Sequence, residues 1–374
     1  MLSVKRSLRQ LALKTIIPQL SKPIGVDTVD EYTAVMERRK IVVRAIQRSL
    51  IYAVSGQTST KLQSLKECGK RGLWLYFGEG QLGDALMDLA PRTLLHENGY
   101  RIDLLTDKTL AAVFDSDPWF EKVSDDPQVF VPQAYDFAIV LSNKRRSIQC
   151  KRQHFKNLPW VSIHESFAGP SFDRAGFSTQ RLADLLGLNL SPQEFSHHAN
   201  QKLKTYPIKH ESKNKALAAS EAVALCVGGV DPLRTYAFWP QVVSELLNHG
   251  LKAFVLVGSS NGELTAALIE REFKSSASIH NWVGTCDISK SRELIASSRV
   301  VVSTDGGLLH LAATTATPIV GLFCSNIKPQ WRLQAHTAST YLCSATLDVN
   351  DISPALVSQK IREFLVELNR HEQA

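Results

Sequence analysis

The sequence predicts an α/β protein made of two doubly wound, parallel-sheet domains behind a basic helical extension. Three observations carry this. A chain of 374 residues is too long for one compact core. From residue 72 onward, short apolar runs alternate with helical patterns, the rhythm of a parallel sheet covered on both faces. That rhythm starts twice, each time with an apolar run ending in glycines: "LWLYFGEG" from residue 73 and "AVALCVGG" from residue 222. The boundaries read as 1–71 for the extension, 72–205 for the first domain and 206–374 for the second.

The extension holds the charge. Residues 1–71 contain fourteen Lys or Arg against five Asp or Glu, a net of +9, while the whole chain is +7. The remainder is therefore slightly acidic. In the first twenty residues Leu2, Leu8, Leu11, Leu13 and Ile16 alternate with Lys5, Arg6, Arg9 and Lys14 in a loosely helical pattern. A second helix is expected over "VDEYTAVMERRKIVVRAIQRSLIYAV", with Asp30 as N-cap and Arg38, Arg39, Lys40, Arg44 and Arg48 along it. Such a segment suits either a solvated cap on the main body or an anionic membrane surface. Nucleic acid is disfavoured, because no binding motif is present and aromatics are few. No run of about 18 apolar residues could span a bilayer. The start lacks the apolar core and small-residue cleavage site of a secretory signal. Six scattered cysteines without a C-x-x-C pair argue against zinc and against a disulfide framework, and fit a reducing cytosol.

In the first domain, "GLWLYF" reads as a strand, the glycine turn follows, and "GDALMDLAPRTLLHEN" reads as one helix. "YRIDLLTD" is a strand, "KTLAAVFDS" a short helix, and "YDFAIVLSN" and "LPWVSIHE" are further strands. The polar run from Ser191 to Ser220 lacks strong periodicity and is expected to cross between domains. The second domain opens with "AVALCVGG". A loop then leads to a helix from Trp239-Pro240 to Gly250, the strand "LKAFVLVGSS", the helix "NGELTAALIEREFKS" and the short strand "IHNWVG". "DISKSRELIASS" is a helix, "RVVVSTD" a strand, "GGLLHLAATTAT" a helix, "PIVGLF" the last strand, and "DISPALVSQKIREFLVELNR" the closing helix. Ligands of open α/β sheets bind at the carboxyl ends of strands, so a cleft between two such domains is expected to hold a substrate pair.

Two stretches carry chemistry. Gly78, Gly80 and Gly83 have the G-x-G-x-x-G spacing of a dinucleotide fingerprint, with Asp84 directly after it. By position alone Asp84 is either a base at the sheet edge or an ordinary first-turn acid that favours the helix dipole. A nicotinamide reading stays open, since Asp103 and Asp107 lie near the spacing of a ribose-binding acid. The second stretch is "RVVVSTDGGLLHLAATTATPIVGLF", residues 299–323. Strand-end hydroxyls of Ser303 and Thr304 lead to Asp305, Gly306 and Gly307, which open a helix. Glycines allow close backbone approach, and a helix start offers N–H groups to phosphate. Asp305 suits sugar hydroxyls or a helix N-cap.

"STDGGLLHLAATTATPIVGLF", with "LGDALMDLAP" upstream and "FWP" between, resembles the bacterial ADP-heptose:lipopolysaccharide heptosyltransferases, a glycosyltransferase family. The likeness runs from about residue 72 to 345, and Asp305, Leu308, His310 and Ala312 all fall in the family's pattern. The resemblance implies the GT-B fold and an inverting sugar transfer that requires no metal or other cofactor. It implies a cytosolic nucleotide diphosphate sugar donor, ADP-heptose first, and a lipopolysaccharide core or similar lipid-linked saccharide as acceptor. It makes Asp84 the general base beside Gly80 and Gly83. Thr304, Asp305, Gly306 and Gly307, with Gly228, Gly229, Arg234 and Lys328, become the donor-binding set. The expected location is cytoplasmic, peripheral on the inner membrane through the basic segment.

Departures qualify the donor more than the fold. The family usually has a phosphate-binding lysine shortly before "WP"; here Ala237 and Phe238 stand there and Arg234 is the nearest cation. Glu79 replaces a small polar or basic residue, and Cys324 stands where glycine is frequent. Lys328 and Trp331 lie near where the donor's nucleobase is expected to bind. A member without activity, acting as a binding protein, is therefore the alternative from another class. Elsewhere, His164-Glu165 reads as a surface pair and His197-His198 as linker residues without metal-ligand partners. His310 reads as a packed residue able to brace Asp305.

Overall fold

The computed structural model describes residues 38–77, 80–141, 145–164, 173–203, 221–334 and 336–373. The amphipathic pattern of the first twenty residues, the Asp30 cap, Gly78, Glu79 and most of the interdomain crossing lie outside them. The chain forms two compact units, Met1–Lys204 and Thr205–Ala374.

The first unit begins with helix α1 (Arg38–Val54), the described part of the second expected helix. Five parallel strands follow: β1 (Arg71–Tyr76), β2 (Arg101–Thr106), β3 (Lys122–Ser124), β4 (Phe137–Val140) and β5 (Trp160–Ser162), in the order β3-β2-β1-β4-β5. The register sets Leu75 beside Leu105 on one side and Val140 on the other. These central strands are buried almost end to end, as a sheet covered on both faces requires. Leu73, Leu75, Leu105, Val140 and Trp160 share a core with Tyr52 of α1.

The single helix expected over "GDALMDLAPRTLLHEN" is two: α2 (Leu82–Asp88) and α3 (Arg92–Glu97). Pro91 separates them, since its ring removes a donor and clashes with the preceding turn. Helix α4 (Lys108–Phe114) follows β2 as expected. Three elements were not anticipated from the sequence: β3, helix α5 (Arg145–His154) and helix α6 (Arg174–Leu186). Helix α6 has local signals nonetheless. Asp173 caps it by accepting from the Gly176 N–H at 2.9 Å, and Gly187 stops it in the left-handed region at φ 69°. The start of the supposed crossing is also helical. Helix α7 (Pro192–Ala199) opens with a capping box in which Ser191 and Glu194 satisfy each other's backbone N–H groups.

The second unit has six parallel strands: β6 (Val223–Cys226), β7 (Ala253–Val257), β8 (Ser278–Asn281), β9 (Val300–Thr304), β10 (Ile319–Phe323) and β11 (Ser339–Cys343). Their order is β11-β10-β9-β6-β7-β8. "PIVGLF" is thus not the last strand; the half-exposed "STYLC" adds an edge beyond it. Helices α8 (Trp239–Asn248), α9 (Glu263–Phe273), α10 (Ile288–Ala296), α11 (Gly307–Ala312) and α12 (Pro354–Gln373) fall where the sequence places them. The apolar strand runs supply the core directly: Leu225, Phe254, Val302 and Leu322 pack with Trp239 of α8 and Ile361 of α12. In each sheet the chain reverses direction at its first strand, between β1 and β4 and between β9 and β6. Crevices at such reversals are the ligand positions of doubly wound sheets.

Candidate active site

Asp84 sits in the first turn of α2, just beyond the carboxyl end of β1, with its side chain 23% exposed. Arg174, the first residue of α6, places Nη1 3.3 Å from Asp84 Oδ1. The same guanidinium grips Asp88 one turn further along α2, with Nε donating to Oδ1 at 2.9 Å and Nη2 pairing with Oδ2. Asp88 is buried and heavily partnered. Tyr76 donates its hydroxyl to Oδ2 at 2.9 Å, and His164 Nε2 lies 3.3 Å from Oδ1. Burial alone would raise the Asp88 carboxyl, but the Arg174 charge and the His164 contact together hold it well below the usual carboxylate range. The Tyr76 hydroxyl is pushed far up by burial and by the Asp88 charge.

His164 is therefore no surface residue. It is buried, stacked on Phe177 of α6 at 5.5 Å, and within 3.2 Å of Ser178 Oγ. Its spacing in the sequence conceals this, because its partners arrive from α2 and α6. Nothing in the sequence singles out Arg174 either. Gly80 opens onto free space, whereas Gly83 is buried in α2.

In the second unit, Asp305 follows β9 and is buried. Its Oδ1 accepts from Arg332 Nε at 3.1 Å and lies 3.8 Å from His310 Nε2; its Oδ2 accepts from Arg234 Nη1 at 3.3 Å. His310 thus stands where it can brace Asp305. Arg332 was not anticipated, although it is buried against the very acid the motif picks out. Asp305 is not the side-chain cap of α11, whose N-cap is Gly306 in extended backbone.

Arg234 is drawn in two directions, with Nε on Asp231 at 3.0 Å and Nη1 on Asp305. It remains 37% exposed, where Arg332 is buried. Ala237 and Phe238 provide no cation, and Phe238 packs on Tyr236 instead. Beyond β6, Gly228 has φ 93°, and a Cβ there would stand 2.6 Å from Asn261 Oδ1 and 2.9 Å from the Gly262 Cα. Only glycine fits. Asn261 donates to the Gly229 carbonyl at 2.7 Å and fixes that turn. Ser303 Oγ donates to the Thr304 carbonyl at 3.0 Å, and both residues are buried. Lys328 extends over the Trp331 ring at 4.9 Å. The β6 and β9 ends, which are neighbours in the sheet, therefore gather Gly228, Gly229, Arg234 and Asp305.

The two remaining acids have other duties. Asp103 lies within β2, receives both hydrogen bonds of the Arg71 Nη2 group at 2.8 and 2.9 Å and the Tyr135 hydroxyl at 2.6 Å. Asp107 pairs with Arg146 at 2.9 Å. Neither geometry favours a ribose contact. His197 and His198 are helical, on α7, and not in a linker. They meet Glu97 of α3, with the ligand atoms of the three within 4.8 Å of one another. His197 Nε2 is 3.1 Å from Glu97 Oε1, and Lys202 Nζ is 3.0 Å from the same nitrogen. An ammonium already supplies positive charge to this cluster, and Thr93 holds His198 Nδ1 at 2.8 Å. The set bridges α3 and α7 beside a cleft of about 560 Å³.

Residues 179–349 match the model of glycosyltransferase family 9 (heptosyltransferase). No curated protein matches the chain. Among solved structures, the chain is similar to a glycosyl transferase family 9 protein from Veillonella parvula DSM 2008, at 13% identity and TM-score 0.61, over 80% of this chain and 98% of that one. It is similar to the E. coli ADP-heptose lps heptosyltransferase II, at 16% identity and TM-score 0.56, over 80% and 99%. It is similar to E. coli heptosyltransferase WaaC, solved with ADP, at 16% identity and TM-score 0.56, over 79% and 99%. These likenesses show a shared α/β fold of the GT-B class. Nothing among them supports a nicotinamide oxidoreductase. Residues 179–349 of the chain thus carry a glycosyltransferase family 9 (heptosyltransferase) domain, which together with the shared fold supports a glycosyltransferase.

Proposed function

We propose that this protein is an inverting transferase that moves heptose, or a related sugar, from a nucleotide diphosphate sugar to a lipopolysaccharide core or similar surface glycan. ADP-heptose is the first-choice donor, supported by the family match and by the donor and nucleotide named for the two E. coli structures. The observation that carries the reading is the Arg234–Asp305–Arg332 arrangement at the β6 and β9 strand ends. Buried Arg332 fixes Asp305, Asp305 orients the more exposed Arg234, and Arg234 is the cation available to a diphosphate. Asp305, Thr304, Gly306 and Gly307 line the same strand end, with Gly228 and Gly229 opposite. Lys328 is the remaining donor-side cation.

Asp84 is the base in this reading. It takes the proton of an acceptor hydroxyl while that oxygen attacks the anomeric carbon, and the carbon–oxygen bond to the diphosphate breaks. The leaving nucleotide diphosphate carries away the electron pair, and arginine charge stabilises it. Arg174 lies 3.3 Å from the Asp84 carboxylate and fixes its direction through the shared grip on Asp88. No metal is required by this scheme.

Ala237 and Phe238, where the family carries a phosphate-binding lysine, favour a second reading: a member that binds nucleotide sugar without turnover. A donor screen with ADP-, UDP- and GDP-sugars tests both. Thermal stabilisation by an ADP-sugar with release of ADP on adding acceptor supports the transferase. Stabilisation without release on any acceptor supports the silent member, and no stabilisation by any nucleotide sugar overturns both.

A further inference from the structure

Glu97 and the pair His197-His198 meet in space although Glu97 precedes His197 by 100 positions. Glu97 is the last residue of α3, and the two histidines stand in the last turn of α7. Two helix C-terminal ends therefore converge here, and each favours a cation through its unpaired carbonyls. His198 is buried and its ring is aimed. Thr93 Oγ1 lies 2.8 Å from His198 Nδ1 and directs its own proton to the Ala90 carbonyl at 3.5 Å, so it accepts from Nδ1–H. The Nε2 lone pair is left facing Glu97 Oε2 at 3.7 Å, where no hydrogen bond forms. His197 Nε2 is held in a conflict, 3.1 Å from Glu97 Oε1 and 3.0 Å from Lys202 Nζ. With a proton it satisfies the carboxylate and opposes the ammonium. Without one it satisfies the ammonium and sets a lone pair against the carboxylate. Either tautomer leaves one contact mismatched.

A metal ion removes both mismatches, because it takes a lone pair from each of the three groups. We propose that Glu97, His197 and His198 bind a divalent transition-metal ion, zinc first, through a carboxylate oxygen and the two Nε2 atoms, with the Lys202 side chain swinging out. Two imidazoles and one carboxylate suit zinc, whereas magnesium and calcium prefer oxygen ligands throughout. In a tetrahedral site with bonds near 2.0 Å, ligand atoms stand about 3.3 Å apart. His197 and Glu97 at 3.1 Å already have that spacing, and His198 and Glu97 at 3.7 Å are close to it. All three ligand atoms lie within 4.8 Å of one another, so a turn of the half-exposed His197 ring completes the set. Thr93 is the outer partner that fixes the His198 ring, as metal-bound histidines require. The cleft of about 560 Å³ lined by the same three side chains admits the ion and a water for the fourth position. The ion clips α3 to α7 within the first unit. It has no step in sugar transfer, and this inference rests on no part of the transferase reading.

The test uses the full, untagged chain stripped with a chelator, then titrated with zinc by calorimetry and with cobalt by visible absorption. Zinc should bind and raise the melting temperature, magnesium should do neither, and cobalt should give the bands of a tetrahedral site. His197→Gln, at a half-exposed position, should leave the metal-free melting temperature unchanged and weaken zinc at least about tenfold. Thr93→Val keeps all three ligands but frees the His198 ring, and should weaken zinc by about 10–100-fold. Lys202→Met removes the competing ammonium and should tighten binding. The proposal is overturned if wild type binds no zinc, if magnesium stabilises it equally, or if His197→Gln or Thr93→Val binds zinc like wild type. It is also overturned if Lys202→Met binds more weakly, since the ammonium would then belong to the site instead of competing for it.

Discussion

Arg174 holds Asp84 at 3.3 Å while its other guanidinium nitrogens bind the buried Asp88 one turn along the same helix. One planar group thus couples a partly exposed carboxylate to a buried one. Lysine could serve only one of them at a time, because it is a point charge without the fork. Arg174→Gln leaves Asp88 buried without its cation and should cost about 3–5 kcal/mol in urea unfolding. Arg174→Lys should recover part of that stability while still misplacing Asp84, so turnover stays low. A loss within about 0.5 kcal/mol for Arg174→Gln, the range of ordinary surface changes, would mean Asp88 does not depend on this pair.

The same pair sets an acid limit. Asp88 is held below the usual carboxylate range in the folded protein, so the unfolded chain binds its proton more readily as pH falls. Its stabilisation is complete above the unfolded value, about 3.9, and is lost progressively as pH drops below it toward the folded value. Wild type should therefore lose stability steeply on acidification below about pH 4. Asp88→Asn should be less stable at neutral pH and show a shallower acid limb in melting temperatures. An acid limb of the same slope in both proteins would assign it to other carboxylates.

Asp84→Asn keeps the shape and removes the basicity. If Asp84 is the base, turnover should fall by about 10²–10⁴-fold while donor affinity stays near wild type. Single-turnover kinetics with donor calorimetry separates the two quantities. A kcat close to wild type would return Asp84 to the role of a first-turn helix acid.

Asp305 organises two arginines and one of them is buried, so its replacement has both a structural and a binding consequence. Asp305→Ala leaves Arg332 without its carboxylate and should destabilise the second unit by about 3–5 kcal/mol. Asp305→Asn keeps the shape at lower cost and is the better probe of binding. If Asp305 works through Arg234, nucleotide and nucleotide sugar should weaken together in Asp305→Asn. If it meets the sugar hydroxyls, the intact donor should lose far more than the nucleotide alone, and calorimetry with both ligands distinguishes the cases.

Lys151 offers a test of how firmly the chain after α1 is tied to the first sheet. Burial pushes its ammonium down to about 8, where it donates to the Gln57 side chain and the Lys156 carbonyl. The unfolded lysine, near 10.4, holds its proton longer as pH rises, so wild-type stability should increase between about pH 8 and 10.4. Lys151→Met removes that titration. Its melting temperature should be flatter over this window, and an equal rise in both proteins would place the titrating group elsewhere.

The double α/β series is legible in the amino-acid order alone, because a buried parallel strand writes an unbroken apolar run such as "VVVST" and an amphipathic helix writes its own period. Asp84 and Asp305 are legible too as the acids to consider, because each follows a strand end at a glycine turn where doubly wound sheets bind ligands. Pro91 is a readable helix break, and Asp173 and Gly187 are readable ends of α6, although the strength of the flanking apolar pattern masks the first. The partners are not legible. Asp88 and Arg174 stand 86 positions apart, and Asp305 and Arg234 stand 71 apart. Such pairs are fixed by strand order and helix packing, and no local spacing encodes either. His164 looks like a surface residue for the same reason: its burial comes from Phe177 and Asp88, which only the folded sheet brings to it. The exposed aliphatic stripe on α1, formed by Val43, Ile46, Leu50 and Val54, sits between the two cases. Its period is written in the sequence, but the tertiary structure decides which side is spent on Trp160 and which is left facing outward. A helix turns toward the body whichever face finds a rigid aromatic partner, and here that partner takes Tyr52.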